Sequence, residues 1–196
     1  MDWTTRTLRN IRLENDLVQI RRVTLDDKAG FARIAYDPEI WKYFVATVTD
    51  EGSLDAFVEQ AIHDTISGAR IVFAILDRRS GEIAGSSAFG NLSPAERRLE
   101  IGWSWLGARF RGTGLNRAAK GLLLDYAFGT LECERVEFKT DVLNVPARRG
   151  LASIGATEEG VFRSYNYMPG GRRRDAVWYS IVKAEWPAIR AERFHG

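Results

Sequence analysis

Leu99-Glu100-Ile101-Gly102-Trp103-Ser104-Trp105-Leu106 runs into Gly107-Ala108-Arg109-Phe110-Arg111-Gly112-Thr113-Gly114 and then into Leu115-Asn116-Arg117-Ala118-Ala119. The first segment alternates as a strand does, with Leu99, Ile101, Trp103 and Trp105 expected on one face and Glu100, Gly102, Ser104 and Leu106 on the other. The last segment opens a long helix. Leu115, Ala118, Ala119, Leu122, Leu123, Tyr126 and Ala127 repeat at 3.6 residues, and Gly129 is the expected C-cap. A glycine-rich turn between strand and helix leaves backbone N–H groups unpaired at the positive end of the helix, an arrangement that binds anions and phosphate above all. Gly112 and Gly114 allow close backbone approach, and Arg109 and Arg111 add charge-assisted donors. A tight turn that merely joins the two elements is the competing reading. The P-loop pattern fails, since Thr113 follows Gly112 where lysine is required, and the dinucleotide fingerprint G-x-G-x-x-G fails at Arg117.

Outward from this junction the chain is mixed α and β. Leu17–Val23 reads as a first strand, followed by helical sequence to about Ala35 and a short helix started by Asp37-Pro38. Ser53–Ser67 is amphipathic, with Leu54, Phe57, Val58, Ala61, Ile62 and Ile66 on one stripe. Ile71–Leu76 is apolar throughout, as a strand covered on both faces would be. It turns at Asp77–Gly81 into a hairpin partner, Glu82–Phe89, and Asn91–Arg98 is a polar connection. Arg135–Thr140 is another strand, and Asn144-Val145-Pro146 caps and starts a helix that stops at Ile154-Gly155-Ala156. Two last strands, about Thr157–Arg163 and Asp175–Lys183, flank a Gly-rich loop holding Tyr165, Tyr167 and Arg172–Arg174. Trp186-Pro187 opens a terminal helix.

Composition sets the outer limits. A chain of 196 residues fits one domain, 1–196, with its core at about 10–190, and it buries a full core without a staple. Apolar residues make up 45% and charged residues 28%, which excludes disorder, collagen and coiled coil. The formal net charge of +2 gives no basic excess of the kind a duplex-binding protein carries, so nucleic acid is not an expected partner. A lone cysteine, Cys133, excludes an internal disulfide framework, and two distant histidines, His63 and His195, argue against a metal centre. The longest apolar run, Ile71–Leu76, is far short of a membrane span, and the N-terminus shows no signal-peptide pattern. A cytoplasmic protein with no membrane partner is expected.

Arg109-x-x-Gly112-x-Gly114 after a strand ending Trp105-Leu106, followed by Leu115-Asn116 and an Ala-rich helix, resembles the acetyl-CoA loop of the GCN5-related N-acetyltransferases (GNAT). Within that superfamily the chain is most similar to the RimJ/RimL-like ribosomal-protein alanine N-acetyltransferase group. Arg135-Val136-Glu137-Phe138-Lys139-Thr140-Asp141, Asn144, Arg148, Ile154-Gly155-Ala156, Glu159-Gly160 and Arg174-Asp175 before Val177-Trp178-Tyr179-Ser180 carry the likeness in order, over about residues 10–190. The resemblance implies an α+β, three-layer α/β/α fold. Its mixed, mostly antiparallel sheet would splay at two central strands, Leu99–Leu106 and Arg135–Thr140. It also implies acetyl-CoA as co-substrate and no metal. Acetyl-CoA would lie along the backbone near Trp105 and Leu106. Its pyrophosphate would rest on the N–H groups from Arg111 through Gly112, Thr113 and Gly114 to Leu115, beside Arg109 and Asn116. Asn144 resembles the family residue that contacts the cofactor arm, a role compatible with an N-cap. Arg148 stands where the group carries a basic residue, which either meets the ADP end or faces solvent.

The implied reaction is direct attack of a primary amine on a thioester. An α-amino group has a pKa of about 7.7–8.0, so a base must remove a proton. Glu100 is the candidate, a carboxylate in an apolar strand whose burial would raise its pKa. An edge carboxylate paired with Arg97 or Arg98 is the alternative. The acid is open: the position three after Asn144 is Ala147, which removes a serine there, and Tyr165, Tyr167 and Tyr179 remain. The acceptor is a protein N-terminus or a small-molecule amine, and a homodimer is compatible with the group. A noncatalytic acyl-CoA sensor and a nucleic-acid module using Arg111, Arg148, Arg149 and Arg172–Arg174 compete with the enzyme reading. His63 beside Asp64 is expected to be exposed helix polarity, Cys133 a structural thiol, and Arg172–Arg174 a solvated turn, with capture of an acidic substrate as the functional alternative.

Overall fold

Leu17–Val23 and Ile71–Leu76 become neighbours in a single eight-stranded sheet, in a computed structural model that describes Trp3 and residues 11–194, so that His195 lies outside the described residues. The strands are β1 (Arg12–Glu14), β2 (Val18–Arg22), β3 (Arg70–Asp77), β4 (Ile83–Ser93), β5 (Arg98–Leu106), β6 (Arg135–Asp141), β7 (Thr157–Tyr167) and β8 (Arg173–Val182). Their order is β1-β2-β3-β4-β5-β6-β8-β7, and only β5 and β6 run parallel. The helices are α1 (Lys28–Ala32), α2 (Pro38–Trp41), α3 (Glu51–Ser67), α4 (Leu115–Asp125), α5 (Val145–Ser153) and α6 (Trp186–Arg193). On one face of the sheet, Leu115, Ala119, Leu123, Leu151 and Trp186 from α4, α5 and α6 pack on Phe73, Phe89, Leu99, Ile101, Val136 and Phe138. On the other, Phe31, Ile40, Trp41, Leu54 and Val58 from α1, α2 and α3 cover Val72, Ala74, Ala88 and Trp105. The expected three-layer α+β architecture is present.

Local chemistry explains several boundaries. α3 begins two residues before Ser53 because Asp50 accepts the Ser53 N–H at 2.8 Å while Ser53 Oγ accepts the Asp50 N–H at 3.0 Å, a reciprocal cap. Asn144 caps α5 by accepting the Ala147 N–H at 3.2 Å. Gly129 is not a C-cap: α4 passes at Tyr126 into one π-helical turn, Tyr126–Thr130, in which Gly129 sits. The expected polar connection is shorter, since Asn91–Ser93 extend β4. The Gly-rich loop shrinks likewise, because Tyr165 and Tyr167 belong to β7 and Arg173 and Arg174 to β8.

The strict alternation expected of β5 fails. Trp103 has φ +51°, and β5 carries one extra residue where Ser86 pairs Trp105 but Ala88 pairs Gly102. This bulge reverses the faces beyond it. Leu99, Ile101 and Leu106 join the α4 side, whereas Trp105 is buried against α1 and α3 with Trp103 beside it. The β5–β6 ladder holds only from Arg98↔Arg135 to Glu100↔Glu137. Past Glu100 the two strands splay, as expected of the central pair.

Candidate active site

The splay opens a cleft of about 410 Å³. One side is lined by Asn116 and Lys120 of α4, by Ser104, and by Asn144, Ala147 and Gly150 around α5. The other is lined by Tyr43, Phe44 and Val45 after α2, and by Tyr165, Asn166 and Arg174 of the β7–β8 hairpin. Glu100, Gly102, Trp103, Phe138, Lys139 and Thr140 form its root.

Glu100 is buried, and it stands on the sheet face opposite Leu99 and Ile101. Its Oε2 accepts from Asn91 Nδ2 at 2.6 Å and lies 3.7 Å from Lys139 Nζ. Among the described residues Oε1 accepts no hydrogen bond, which leaves it to a ligand in the cleft. Burial raises the Glu100 pKa above the ordinary carboxylate value, and Lys139 and Asn91 oppose the rise. The alternative pairing with Arg97 or Arg98 is absent: Arg97 meets Glu132 and Glu134, and Arg98 meets Glu137.

The turn before α4 keeps its polar groups free. Gly112 (φ +74°) and Gly114 (φ +89°) have nothing within 4 Å of the position a Cβ would take. Backbone N–H groups from Gly112 to Asn116 have no partner among the described residues, and Gly114 as N-cap receives no side-chain cap. Thr113 Oγ1 donates to Phe110 O at 2.7 Å and pins the turn. Arg111 donates to Leu106 O at 3.0 Å and pairs with Asp37 at 3.1 Å. Arg109 lies over the Phe110 ring and pairs with Glu82 at 2.7 Å. Both arginines therefore brace the turn in this structure. An open, glycine-lined row of N–H donors at a helix start, with a β5 edge unpaired beyond Glu100, fits the phosphates and amide arm of coenzyme A.

Of the remaining expected residues, Asn116 and Asn144 line the cleft. Trp105 and Leu106 turn their side chains into the two cores, so only their backbone is available to a ligand. Arg148 is not among the cleft residues; it donates to Tyr179 Oη, Val142 O and Glu158, each at 3.2 Å. Tyr179 donates in turn to Glu158 at 2.5 Å, and Tyr167 is exposed under Arg173, so among the three tyrosines only Tyr165 lines the cleft. His63 is exposed, as expected. Cys133 is buried, and burial pushes its thiol up to about 12, which suits a structural thiol. Among the described residues no His/Cys/Asp/Glu group could hold a metal, and no helix is long and apolar enough to cross a membrane.

Two buried cations were not anticipated. Lys120 is almost fully buried, and the partners of its ammonium among the described residues are Ser104 Oγ at 3.3 Å and the Phe138 ring; burial lowers its pKa to about 8. Arg174 is 8% exposed rather than part of a solvated turn. Arg172 and Arg173 are exposed, as expected, with Arg172 also ion-paired to the buried Asp141. A sequence signal existed only for Lys120, a charge on the buried side of an otherwise apolar helix.

A sheet splayed at β5–β6, a turn with free N–H groups at a helix start and a buried carboxylate at the fork fit an acyltransferase. A model of the acetyltransferase (GNAT) domain matches residues 18–157, and the chain belongs to that family of enzymes. It is 29% identical over 175 residues to the uncharacterized N-acetyltransferase p20 of Bacillus licheniformis, covering 89% of this chain and 97% of the relative. A Bacillus subtilis protein named "Putative ribosomal N-acetyltransferase YdaF" is 38% identical over 106 residues, 54% of this chain and 57% of that protein. The structure of Mycobacterium smegmatis RimJ in complex with CoA-disulfide superposes with a TM-score of 0.77 at 25% identity, covering 94% of each chain. Within the family these relatives align the chain with the RimJ/RimL-like group.

Proposed function

We propose that the chain, acting as one cytoplasmic domain, transfers the acetyl group of acetyl-CoA to a primary amine, either a protein N-terminus or a small molecule. Acetyl-CoA supplies an activated acyl group as a thioester. The N–H groups of Gly112, Thr113, Gly114 and Leu115 would hold the pyrophosphate, with Arg109, Arg111 and Asn116 beside them; the Arg111 N–H, expected in that row, is instead bonded to Ala108 O at 3.2 Å. The β5 backbone at Trp105 and Leu106 and the Asn144 side chain would hold the arm. Arg148, braced by Tyr179 and Glu158, would meet the ADP end only by exchanging those partners. Glu100 takes the proton from the amine through its unclaimed Oε1. Its raised pKa makes it a stronger base than an exposed carboxylate. The free Oε1 of a buried carboxylate at the root of the cleft is the observation that carries this reading. The name of the YdaF relative supports a protein acceptor, and a homodimer belongs to the same proposal, to be checked by sedimentation velocity.

Calorimetric titration with acetyl-CoA, followed by free-thiol release against peptides and small amines, tests it. Binding with release on one acceptor is expected. Failure to bind acetyl-CoA would remove the reading.

A further inference from the structure

Glu100, Lys139 and Arg174 share one face of the sheet. Leu99 and Ile101 on β5, Val136 and Phe138 on β6, and Val177, Tyr179 and Ile181 on β8 all face α4–α6, which puts the intervening Glu100, Lys139 and Arg174 on the opposite side. There α1–α3 cover β3–β5, while over β7 and β8 Phe162 and Tyr165 are exposed. The three charges therefore stand where the covered half of that face gives way to the open half, and all line the cleft.

Lys139 is placed by two aromatic rings, Tyr165 and Trp178, each 5.2 Å from its ammonium, and by Glu100. Arg174 has no such partner. Among the described residues it makes no hydrogen bond and no ion pair, and its Nε is fully buried and unpaired. The carboxylate that would satisfy it, Asp141, is taken by Arg172 and by the Leu143 N–H at 2.9 Å. Asp141 and Glu100 act on Arg174 only through space, so the buried guanidinium lacks hydrogen bonds that an arriving anion would supply. One carboxylate and two cations also leave the acceptor side of the cleft with an excess positive charge. That charge repels an incoming ammonium unless the same molecule brings a negative group.

We infer that the acceptor is a primary amine carrying a carboxylate a few bonds from the amino group, with Arg174 receiving the carboxylate while Glu100 receives the amine. This deepens the acetyltransferase reading and rests on it. The carboxylate comes either from a free amino acid or from an acidic residue next to a peptide's N-terminus. The amine displaces the thiol from the thioester, Glu100 takes the amine's proton, and the proton returns to the thiolate as free thiol, so no further reactant is needed.

Two matched pairs distinguish the sources: L-alanine against L-alaninamide, and Ala-Glu-Ala-amide against Ala-Gln-Ala-amide, each assayed by thiol release at saturating acetyl-CoA. In at least one pair the acidic member should have the higher kcat/KM, by about tenfold or more. In Arg174→Gln that ratio should fall toward one through KM, Arg174→Lys should restore part of it, and calorimetric acetyl-CoA affinity should not change. Equal or better use of the neutral members would overturn the inference. So would an unchanged ratio in Arg174→Gln, or acetyl-CoA binding with no acidic member acetylated. Loss of acetyl-CoA binding in the wild type would instead overturn the function on which the inference rests.

Discussion

Lys139 Nζ stands 3.7 Å from Glu100 Oε2 at the point where β5 and β6 part. With Glu100 as the proposed base, the pair would set the acid limit of catalysis. Burial raises the Glu100 pKa, and the Lys139 cation holds back that rise by favouring the ionised form. Glu100 works as a base only when ionised, so kcat/KM should fall as pH drops through its raised pKa, above 4.5. Lys139→Met should move that acid limb to higher pH, and Glu100→Gln should lower kcat about 100-fold or more. An acid limb unmoved in Lys139→Met would show that Glu100 is not the titrating group.

Gly112→Asp should remove acetyl-CoA binding in calorimetry, because it brings both a side chain and a negative charge to the row of free N–H groups. The open space around a Cβ there means that little packing is lost. Its φ of +74° costs a non-glycine residue about 1 kcal/mol. A cofactor affinity within threefold of wild type would show that the phosphates bind elsewhere.

Lys120→Met should stabilise the protein and should do so most at or below neutral pH. The folded pKa, about 8, lies below the free value of 10.5, so protonation favours the unfolded state. The penalty is fully present below pH 8 and fades as pH rises toward 10.5. At pH 7 it is worth about 3 kcal/mol, an upper bound on the gain. Urea denaturation at pH 7 and pH 10 checks this, and an equal gain at both values would rule out the charge as its cause.

Gly90→Ala should destabilise the fold by about 1–3 kcal/mol, because the new methyl would overlap the Trp103 ring. Arg70, the cross-strand partner of Gly90, holds that ring in place with its guanidinium 5.0 Å from the centroid, and is itself ion-paired with Asp64. Trp103→Leu should relieve much of the penalty in the double variant, and additive losses in urea denaturation would argue against the clash.

The phosphate-ready turn was legible because its chemistry is local: Gly112 and Gly114 adopt backbone angles that only their own residue type favours, next to a helix whose period is plain. The mixed α and β order followed from apolar patterning for the same reason, whereas the three layers came with the family resemblance. The far end of β5 was not legible, since Trp103 takes a left-handed conformation that no local signal marks and the neighbouring β4 strand imposes. Glu100 could be named, but its partners Asn91 and Lys139 come from other strands. Arg174 was hidden among three consecutive arginines, which differ only in what the folded chain brings to each. Arg172 finds Asp141, Arg173 finds Ser164 and the Tyr167 ring, and Arg174 finds the cleft.

The short β5–β6 ladder also bears on how long the protein lasts. Among the described residues the main-chain ladder between β1–β5 and β6–β8 runs only from Arg98↔Arg135 to Glu100↔Glu137, with one further backbone bond at its start from Glu134 N–H to Arg97 O at 2.7 Å. A donor lying in the fork would add bonds across that seam and so favour the folded form over the unfolded one. At a hundred times its dissociation constant it would stabilise the fold by about 2.7 kcal/mol. Proteases act on the opened population, so acetyl-CoA scarcity would shorten the enzyme's lifetime. If the proposed donor is the right one, its abundance would then follow the metabolic supply of acetyl-CoA.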